Sequence, residues 1–260
     1  MIRPGRDGLT MATPPAKPVT ERTLSIASEF GPLRFTFRDS GNMDEHVRAT
    51  ISGATYPWPG MPTGYVYDTI VDVGANIGAS ALWFMSCKPK RLVCFEPSQE
   101  SLTLLRRNLS ALPGVEIHPW GLFDRDREVR LYHGRRQSMQ HSVVPSIETR
   151  DEFETIALRR AATVFAELKL GAISLLKIDT EGCEVPILCD IVEMLPRIDA
   201  IYVEYHSERD RKEIDAILSP LFILSRADSK HPHRGVILYV AQRVVDAVPI
   251  YGAMELKRPD

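Results

Sequence analysis

The stretch TIVDVGANIG, residues 69 to 78, decides the fold. Its apolar first half is typical of a buried strand, and the glycines that follow let the backbone turn tightly and approach a ligand closely. A dinucleotide-binding G-x-G-x-x-G motif would need glycines at 74, 76 and 79, but Asn76 and Ala79 stand at two of those positions. The lysine of a phosphate-binding P-loop is also missing. The pattern therefore argues against NAD, FAD and nucleoside triphosphates, and Asp72 beside the turn suits a ligand with cationic ammonium and sulfonium groups.

Strands and helices alternate outward from this stretch, which indicates parallel βαβ units and an open, doubly wound α/β sheet. Ligands of such sheets bind at the carboxyl ends of the strands. The less regular stretch 123–154, with one expected strand at 128–132, is predicted as an insertion above the sheet. The predicted strands of the sheet are 69–73, 91–96, 115–119, 173–179, 198–205, 220–224 and 235–240, and the predicted helices are 77–87, 98–111, 163–169, 184–195 and 208–218.

Composition divides the chain into four segments. Residues 1–20 are rich in proline and lack an apolar h-region, so we expect a flexible tail in which either methionine is a candidate start. Residues 21–66 are expected to form a strand and a helix, followed by an aromatic segment that either covers an acceptor as a lid or packs over the sheet edge. Residues 67–245 are the predicted ligand-binding domain, and residues 246–260 are a C-terminal extension.

The overall composition is that of an ordinary globular protein. With 44% apolar residues among 260, the chain can bury one substantial core. Its 32 basic and 34 acidic residues are interspersed, so we expect no nucleic-acid partner. No apolar run approaches the roughly 20 residues of a membrane-spanning helix. The cysteines form no C-x-x-C pair and are interpreted as core thiols of a cytoplasmic protein: Cys87, Cys94, Cys183 and Cys189.

The second predicted strand ends in CFEPS, residues 94 to 98. Its acid, Glu96, stands 22 residues after Gly74, about where an acid holds a ribose diol in this topology. Glu96 is therefore the predicted ribose ligand, with Pro97 and Ser98 beside it in the same predicted cofactor site. Ser98 also fits the N-cap position of the following helix.

A second polar group follows two later strands, in KIDTEG at 177–182 and IYVEYHSE at 201–208. Strand alternation places Lys177 and Asp179 on one face, which fits either a structural ion pair or an acid that faces a reaction site. Polar side chains of the neighbouring strand can meet them across adjacent strand ends. Four side chains are candidate catalytic bases: Asp179, Glu181, Glu204 and His206. Such acids could instead hold Mg²⁺, but we predict that no metal takes part.

Four motifs occur in order along the chain: VDVGANIG at 71–78, VCFEPSQESLTLLRRNL at 93–109, IHPWGLFDRDREVRLY at 117–132 and LLKIDTEGCEVPIL at 175–188. Together they resemble the FkbM-type family of S-adenosylmethionine-dependent methyltransferases, over about residues 67 to 242. The resemblance implies S-adenosylmethionine as the cofactor. It also implies a Rossmann-like class I methyltransferase fold, whose seven-stranded, mostly parallel sheet has an antiparallel last strand.

The resemblance further implies roles for residues at the strand ends. Glu96 would take the ribose of the cofactor. The methionine end would be lined by four residues of the first motif, namely Asp72, Gly74, Asn76 and Gly78. The adenine would be bordered by a loop that contains Gly121, Leu122 and Asp124.

The sequence thus predicts an O-methyltransferase that acts on a hydroxyl of a sugar, a glycolipid or a secondary metabolite. Transfer from a sulfonium needs alignment of the acceptor and, for a hydroxyl, a group that takes up its proton. Two alternatives stay open, namely N-methylation of a small amine and a scaffold protein that binds S-adenosylmethionine without turnover. The expected partner is a small-molecule acceptor, and whether the chain forms a homodimer is left open.

Overall fold

Strands and helices alternate through most of the chain. The computed structural model describes residues 20–28, 30–39, 42–134, 149–231 and 233–247. The strands are β1 (Glu21–Ser28), β2 (Gly31–Arg38), β3 (Thr69–Val73), β4 (Arg91–Phe95), β5 (Val115–His118), β6 (Gly121–Phe123), β7 (Arg127–Gly134), β8 (Thr149–Arg160), β9 (Leu175–Ile178), β10 (Ala200–Tyr205), β11 (Phe222–His231) and β12 (Arg234–Ala241). The helices are α1 (Met43–Ile51), α2 (Ala79–Phe84), α3 (Gln99–Leu109), α4 (Ala161–Glu167), α5 (Glu184–Asp190), α6 (Glu208–Leu218) and α7 (Gln242–Asp246), with 3₁₀ turns at Met85–Cys87 and Val192–Arg197.

Seven of the described strands form one sheet, in the order β11-β12-β10-β9-β3-β4-β5. The strands from β5 to β10 in this order are parallel, whereas β12 is antiparallel to both of its neighbours. This confirms the predicted Rossmann-like class I methyltransferase fold with its antiparallel last strand. In register, Val73 lies opposite both Phe95 and Ile178, so β3, β4 and β9 end at the same level. Residues that follow these strands therefore meet at one edge of the sheet.

The core lies on both faces of this sheet. Every residue of β3 and β9 is buried, as expected for central parallel strands covered by helices. On α3 the buried leucines 102, 105 and 109 recur at helical spacing and face the sheet, while Arg106 and Arg107 are exposed. Burial of these apolar side chains is the main force that fixes the strand ends in place.

Several predicted boundaries differ from the structure. The helix predicted at 77–87 begins only at Ala79, because Gly78 has a φ of 92° and serves as its N-cap. The helix predicted at 184–195 ends at Asp190 and is followed by a 3₁₀ turn that contains Pro196, because a proline deep in a continuous α-helix would lack a backbone donor and clash with the preceding turn. The strand predicted at 220–224 extends to His231, because it pairs with β12 along a hairpin.

The insertion at 123–154 is more regular than predicted. Among the described residues, β6, β7 and β8 form a separate three-stranded sheet in the order β6-β8-β7. The strand β8 was not predicted, although Ile156 and Leu158 are buried and alternate with exposed neighbours. The helix predicted at 163–169 starts at Ala161, directly after this strand. Residues 135–148 lie outside the described part.

The aromatic segment before β3 packs against the domain. Trp58 lies between Tyr67 and Trp83, with ring centroids 4.8 and 5.2 Å away. Trp58 therefore packs against these two rings, and whether the segment also covers an acceptor stays a prediction. The predicted tail up to residue 19 and residues 248–260 of the predicted extension lie outside the described part. The described helices are each too short or too polar to span a bilayer.

The cysteines do not all lie in the core. Cys94 and Cys183 are buried and Cys87 is half-buried, but Cys189 is exposed. The prediction of a core thiol is therefore wrong for Cys189, which lies near the end of α5 on the side away from the buried Ile187 and Leu188.

Candidate active site

The glycine turn brings two strand ends into direct contact. Gly74 has a φ of 79°, and a Cβ atom at this position would lie 1.7 Å from the carbonyl oxygen of Asp179. Its amide donates a hydrogen bond to the carbonyl oxygen of Phe95, at 3.0 Å. Only a residue without a side chain fits here, and the result is that the loops after β3, β4 and β9 touch one another.

Asp72 does not face an open cleft. Its side chain is fully buried, with one oxygen 3.0 Å from Lys177 Nζ and the other accepting a 2.6 Å hydrogen bond from Ser80 Oγ. Lys177 also donates to the carbonyl oxygen of Gly74, at 2.9 Å, and lies 3.6 Å from Asp179. Burial opposes the charge on Lys177, but the two carboxylates raise its pKa above the usual range. The lysine therefore stays charged and joins the ends of β3 and β9.

Glu96 is held by backbone amides beside the glycine turn. One carboxylate oxygen accepts a hydrogen bond from the amide of Asn76 and the other from the amide of Ser98, each at 2.8 Å. Burial raises the pKa of Glu96 to about 7, although both amides favour its charged form. A carboxylate has about four lone-pair sites. Each oxygen therefore keeps room for one more donor, which fits the two hydroxyls of a ribose.

Unpartnered polar atoms lie at or just after the ends of β4 and β5. Among the described residues, Ser98 Oγ, His118 Nε2 and Trp120 Nε1 are buried and have no hydrogen-bond partner. Ser98 occupies the N-cap position of α3 as predicted, but its hydroxyl makes no capping bond. His118 stacks on Phe95 with centroids 5.2 Å apart. Buried polar atoms are rarely left without partners, so these three suit a bound group that carries donors and acceptors, as adenosine does.

The loop predicted to border the adenine comes shortly after β5 in the chain. Gly121 and Leu122 are buried in β6. A Cβ atom at Gly121 would lie 3.5 Å from the ring of Pro97, so this loop adjoins the end of β4. Asp124 lies farther out and pairs with Arg125 at 2.9 Å.

The four predicted bases come together at the ends of β9 and β10. His206 Nε2 lies 3.0 Å from Glu181 and 3.8 Å from Glu204. A cation that the sequence analysis missed, Arg234, donates to Glu204 at 2.9 Å and to Glu181 at 2.5 Å. Arg234 is the first residue of β12, whose antiparallel register with β10 brings it to this edge. In the sequence, the only indication of this cation was a basic residue at the start of the last strand.

The environment sets different protonation states for these groups. Burial opposes ionisation of Asp179, but Lys177 and His206 hold its pKa below the usual value. Burial and the charge of Asp179 raise the pKa of Glu204 to about 8. Burial disfavours the charged form of His206, but Glu181 and its neighbouring acids raise the histidine pKa to about 9. The surroundings therefore favour the charged forms of Asp179 and His206 and the protonated form of Glu204.

A second residue that the sequence analysis missed shapes the loop after β9. Glu184 is buried, and its carboxylate accepts hydrogen bonds from the amide and hydroxyl of Thr180, at 2.8 and 3.0 Å, and from the amide of Gly182, at 3.0 Å. Glu181, between Thr180 and Gly182, adopts a φ of 55°, which is uncommon for a residue with a side chain. Glu184 thus holds the turn that presents Asp179 and Glu181. Its place in the first turn of α5, after a glycine, was the available signal.

Three of the polar side chains have the spacing of a metal site. Asp179, Glu181 and His206 offer ligand atoms within 4.8 Å of one another. However, Lys177 lies 3.6 Å from Asp179 and Arg234 lies 2.5 Å from Glu181. These cations already offset the acidic charge and would repel a divalent ion. The charge balance favours the predicted metal-free arrangement, which stays a prediction.

Comparison with known proteins places the chain among methyltransferases. Two curated proteins match in sequence, and each match covers 54% of this chain. The AMB antimetabolite synthetase AmbE of Pseudomonas aeruginosa is 30% identical, and the match covers 8% of the synthetase. The 2-O-methyltransferase NoeI of Sinorhizobium fredii is 25% identical, and the match covers 63% of NoeI.

Solved structures resemble the chain at low sequence identity. A putative rRNA methylase from Clostridium thermocellum is 8% identical with a TM-score of 0.45, covering 79% of this chain and 98% of that one. A precorrin-6y C5,15-methyltransferase from Geobacter metallireducens is 12% identical with a TM-score of 0.42, covering 76% of this chain and 88% of that one.

The family comparison covers more than half of the chain. Residues 72–231 match the model of the methyltransferase FkbM domain. The chain therefore belongs to the FkbM methyltransferase family.

Proposed function

We propose that this chain is an O-methyltransferase that uses S-adenosylmethionine to methylate a hydroxyl of a sugar, a glycolipid or a secondary metabolite. Family membership supports methyl transfer and implies S-adenosylmethionine as the donor. The name of one relative, the 2-O-methyltransferase NoeI, supports a hydroxyl acceptor. The observation that carries the proposal is the position of Asp179, whose backbone touches the glycine turn and whose carboxylate lies 3.6 Å from Lys177 Nζ.

The residues at the ends of β3, β4 and β5 would hold the cofactor. Glu96 would accept hydrogen bonds from the ribose hydroxyls, and the unpartnered atoms of Ser98, His118 and Trp120 support an adenosine beside it. Asp72 would act indirectly, because it fixes Lys177 and through it the carbonyl of Gly74. The other proposed cofactor contacts are those of the sequence analysis: Gly74, Asn76, Gly78, Pro97, Gly121, Leu122 and Asp124.

The side chains after β9 and β10 would handle the proton. When bound, S-adenosylmethionine supplies a methyl group on a sulfonium, which is already an activated leaving group. Asp179 would take up the acceptor's hydroxyl proton on a carboxylate oxygen, because Lys177 and His206 favour its charged form. Glu204, whose protonated form is favoured, would donate a hydrogen bond to Asp179. Glu181 and His206 would support the arrangement as a charged pair.

We also propose how the chain is organised. Residues 67–245 would be the S-adenosylmethionine-binding domain, and residues 21–66 would pack beside it. The partner would be a small-molecule acceptor. The cytoplasmic location stays a prediction, and whether the chain forms a homodimer stays open.

A transfer assay tests the proposal. The protein is incubated with methyl-labelled S-adenosylmethionine and a panel of glycosides, glycolipids, phenols and small amines, and the labelled position is located by mass spectrometry and NMR. We expect label on a hydroxyl oxygen and a loss of transfer in Asp179→Asn. Label on nitrogen alone would support the N-methyltransferase alternative. Tight cofactor binding with no transfer to the panel would favour the scaffold alternative.

A further inference from the structure

Tyr56 reaches the proposed base from outside the matched family domain. It precedes β3 and lies before residue 72, where the family match begins. Its hydroxyl nevertheless donates a hydrogen bond to Asp179 Oδ2, at 3.1 Å. Its ring is buried, with 4% of the residue exposed, so this contact is shielded from bulk water.

The backbone around Tyr56 is fixed by side chains of the domain. Trp83 Nε1 donates to the carbonyl oxygen of Tyr56, at 2.7 Å. The hydroxyl of Tyr202 donates to the carbonyl oxygen of the next residue, Pro57. The Tyr56 ring packs edge-on against Tyr202, with centroids 5.3 Å apart, and lies 5.6 Å from Lys177 Nζ. Two carbonyl anchors and a packed ring leave the hydroxyl little freedom to move away from Asp179.

We infer that Tyr56 is a positioning residue for methyl transfer, which holds the carboxylate of Asp179 in the orientation that accepts the acceptor's proton. The inference rests on the proposed role of Asp179 as the base. A hydrogen bond to a charged acceptor is stronger and more directional than one between neutral groups. Donation to Oδ2 therefore fixes the rotation of the Asp179 carboxylate.

Other groups also act on Asp179 and define what a test must separate. Lys177 lies on β9, Glu204 lies on β10, His206 directly follows β10, and Arg234 belongs to β12. Removal of the Tyr56 hydroxyl leaves all of these charges in place. The change in Asp179 can then be assigned to the lost hydrogen bond.

The decisive variant is Tyr56→Phe, which keeps the packed ring. The control is Tyr239→Phe, which removes a hydroxyl that donates to a different aspartate, Asp215, at 2.9 Å. The titration of Asp179 is followed by NMR of ¹³C-labelled aspartate carboxyls, with the resonance assigned by its loss in Asp179→Asn. We expect the midpoint of Asp179 to rise by about one pH unit in Tyr56→Phe, since a donor to its charged form is lost. Tyr239→Phe should leave it unchanged.

Turnover provides the second measurement. With an acceptor found by the transfer assay, the acidic limb of the pH–rate profile should move to higher pH in Tyr56→Phe, by the same shift as the Asp179 titration. The turnover number should fall about tenfold while KM stays nearly constant, because an interaction that orients the base affects the transition state. The control variant should show neither change.

The outcomes separate the two proposals. An unchanged Asp179 titration in Tyr56→Phe, or an equal shift in Tyr239→Phe, overturns the positioning role. Full turnover of Asp179→Asn overturns the proposed base itself, whatever Tyr56 does. Should Tyr56→Phe not fold, Tyr202→Phe frees the Pro57 carbonyl and keeps the Tyr56 hydroxyl. A smaller shift in the same direction is then expected, and no shift overturns the inference.

Discussion

The ammonium of Lys177 lies 3.0 Å from a carboxylate oxygen of Asp72, and the two side chains are 3% and 0% exposed. The pair joins the two central strands of the sheet, which carry the glycine turn and the proposed base. A buried charge is tolerated only while its partner is present, because desolvation is not otherwise offset. The Lys177 side chain is therefore a link between the stability of the fold and the geometry of the site.

Removal of one partner should be severe. Lys177→Met is expected to lower the free energy of unfolding by about 3 to 5 kcal/mol, the usual cost of an unpaired buried charge, measured by urea unfolding. The double variant Asp72→Asn/Lys177→Met should be more stable than Lys177→Met alone. Arg209→Met, which removes an exposed partner of Glu213, is the control and should change little. Near-normal stability of Lys177→Met would show that the pair is not important for the fold.

The cofactor assignment predicts selective ligand binding. S-adenosylhomocysteine should bind and raise the melting temperature, since a ligand that binds only the folded state stabilises it by mass action. NADH should do neither, because Asn76 and Ala79 replace two of the glycines that a pyrophosphate needs. Calorimetry and thermal unfolding measure both ligands. Tight binding of NADH, or no heat with S-adenosylhomocysteine, would contradict the assignment.

Within that assignment, Glu96 should matter most for affinity. Glu96→Ala is expected to weaken S-adenosylhomocysteine binding by about 1 to 3 kcal/mol, because hydrogen bonds from the ribose to a carboxylate are lost. Glu100→Gln changes a nearby acid that pairs with Arg38 and serves as the matched control. An unchanged dissociation constant in Glu96→Ala would move the ribose site elsewhere.

The pKa of Glu96 predicts how affinity depends on pH. Its value of about 7 in the free protein is raised by burial, so the carboxyl gains a proton as pH falls through this value. The charged form is the better acceptor for two hydroxyls, and binding should favour it. Affinity should therefore fall by up to about tenfold for each pH unit below this pKa. Calorimetry between pH 5.5 and about 8 tests this, and a Glu96→Gln variant with the same pH dependence would refute it.

Part of this site could be predicted from the sequence alone. The turn at Gly74, the acid Glu96 and the acids after β9 follow strands that end at one level, and strand alternation suffices to bring them together. The structure confirms that Glu181, Glu204 and His206 meet. Whether these residues bind the cofactor or take up a proton stays a prediction.

Other parts could not be predicted, because they depend on contacts between distant segments. Tyr56 and Asp179 are 123 residues apart in the chain, and no local pattern relates them. Arg234 reaches the acids only because β12 returns antiparallel beside β10. The strand β8 was missed because its polar first half hides the alternation of Ile156 and Leu158.

A further prediction concerns the identity of the base. Asp179→Asn should lower turnover by about 10² to 10⁴, the usual contribution of a positioned base, and leave cofactor affinity nearly unchanged. His206→Ala should have a smaller direct effect on proton uptake, because the raised pKa of about 9 keeps the imidazole protonated and unable to accept a proton at neutral pH. Turnover and S-adenosylhomocysteine affinity, measured together for each variant, separate a catalytic loss from a binding loss.

The same assay decides whether a metal takes part. With Lys177 and Arg234 beside the acids, we expect EDTA to leave turnover unchanged and Mg²⁺ not to increase it. Activity that vanishes with EDTA and returns with Mg²⁺ would contradict the metal-free arrangement, and Asp179→Asn should then weaken metal binding as well as rate. If Asp179→Asn, Glu181→Gln and His206→Ala all keep near-normal turnover in EDTA, the cluster is structural. Alignment of the acceptor with the methyl group, with solvent as the proton acceptor, would then have to account for catalysis.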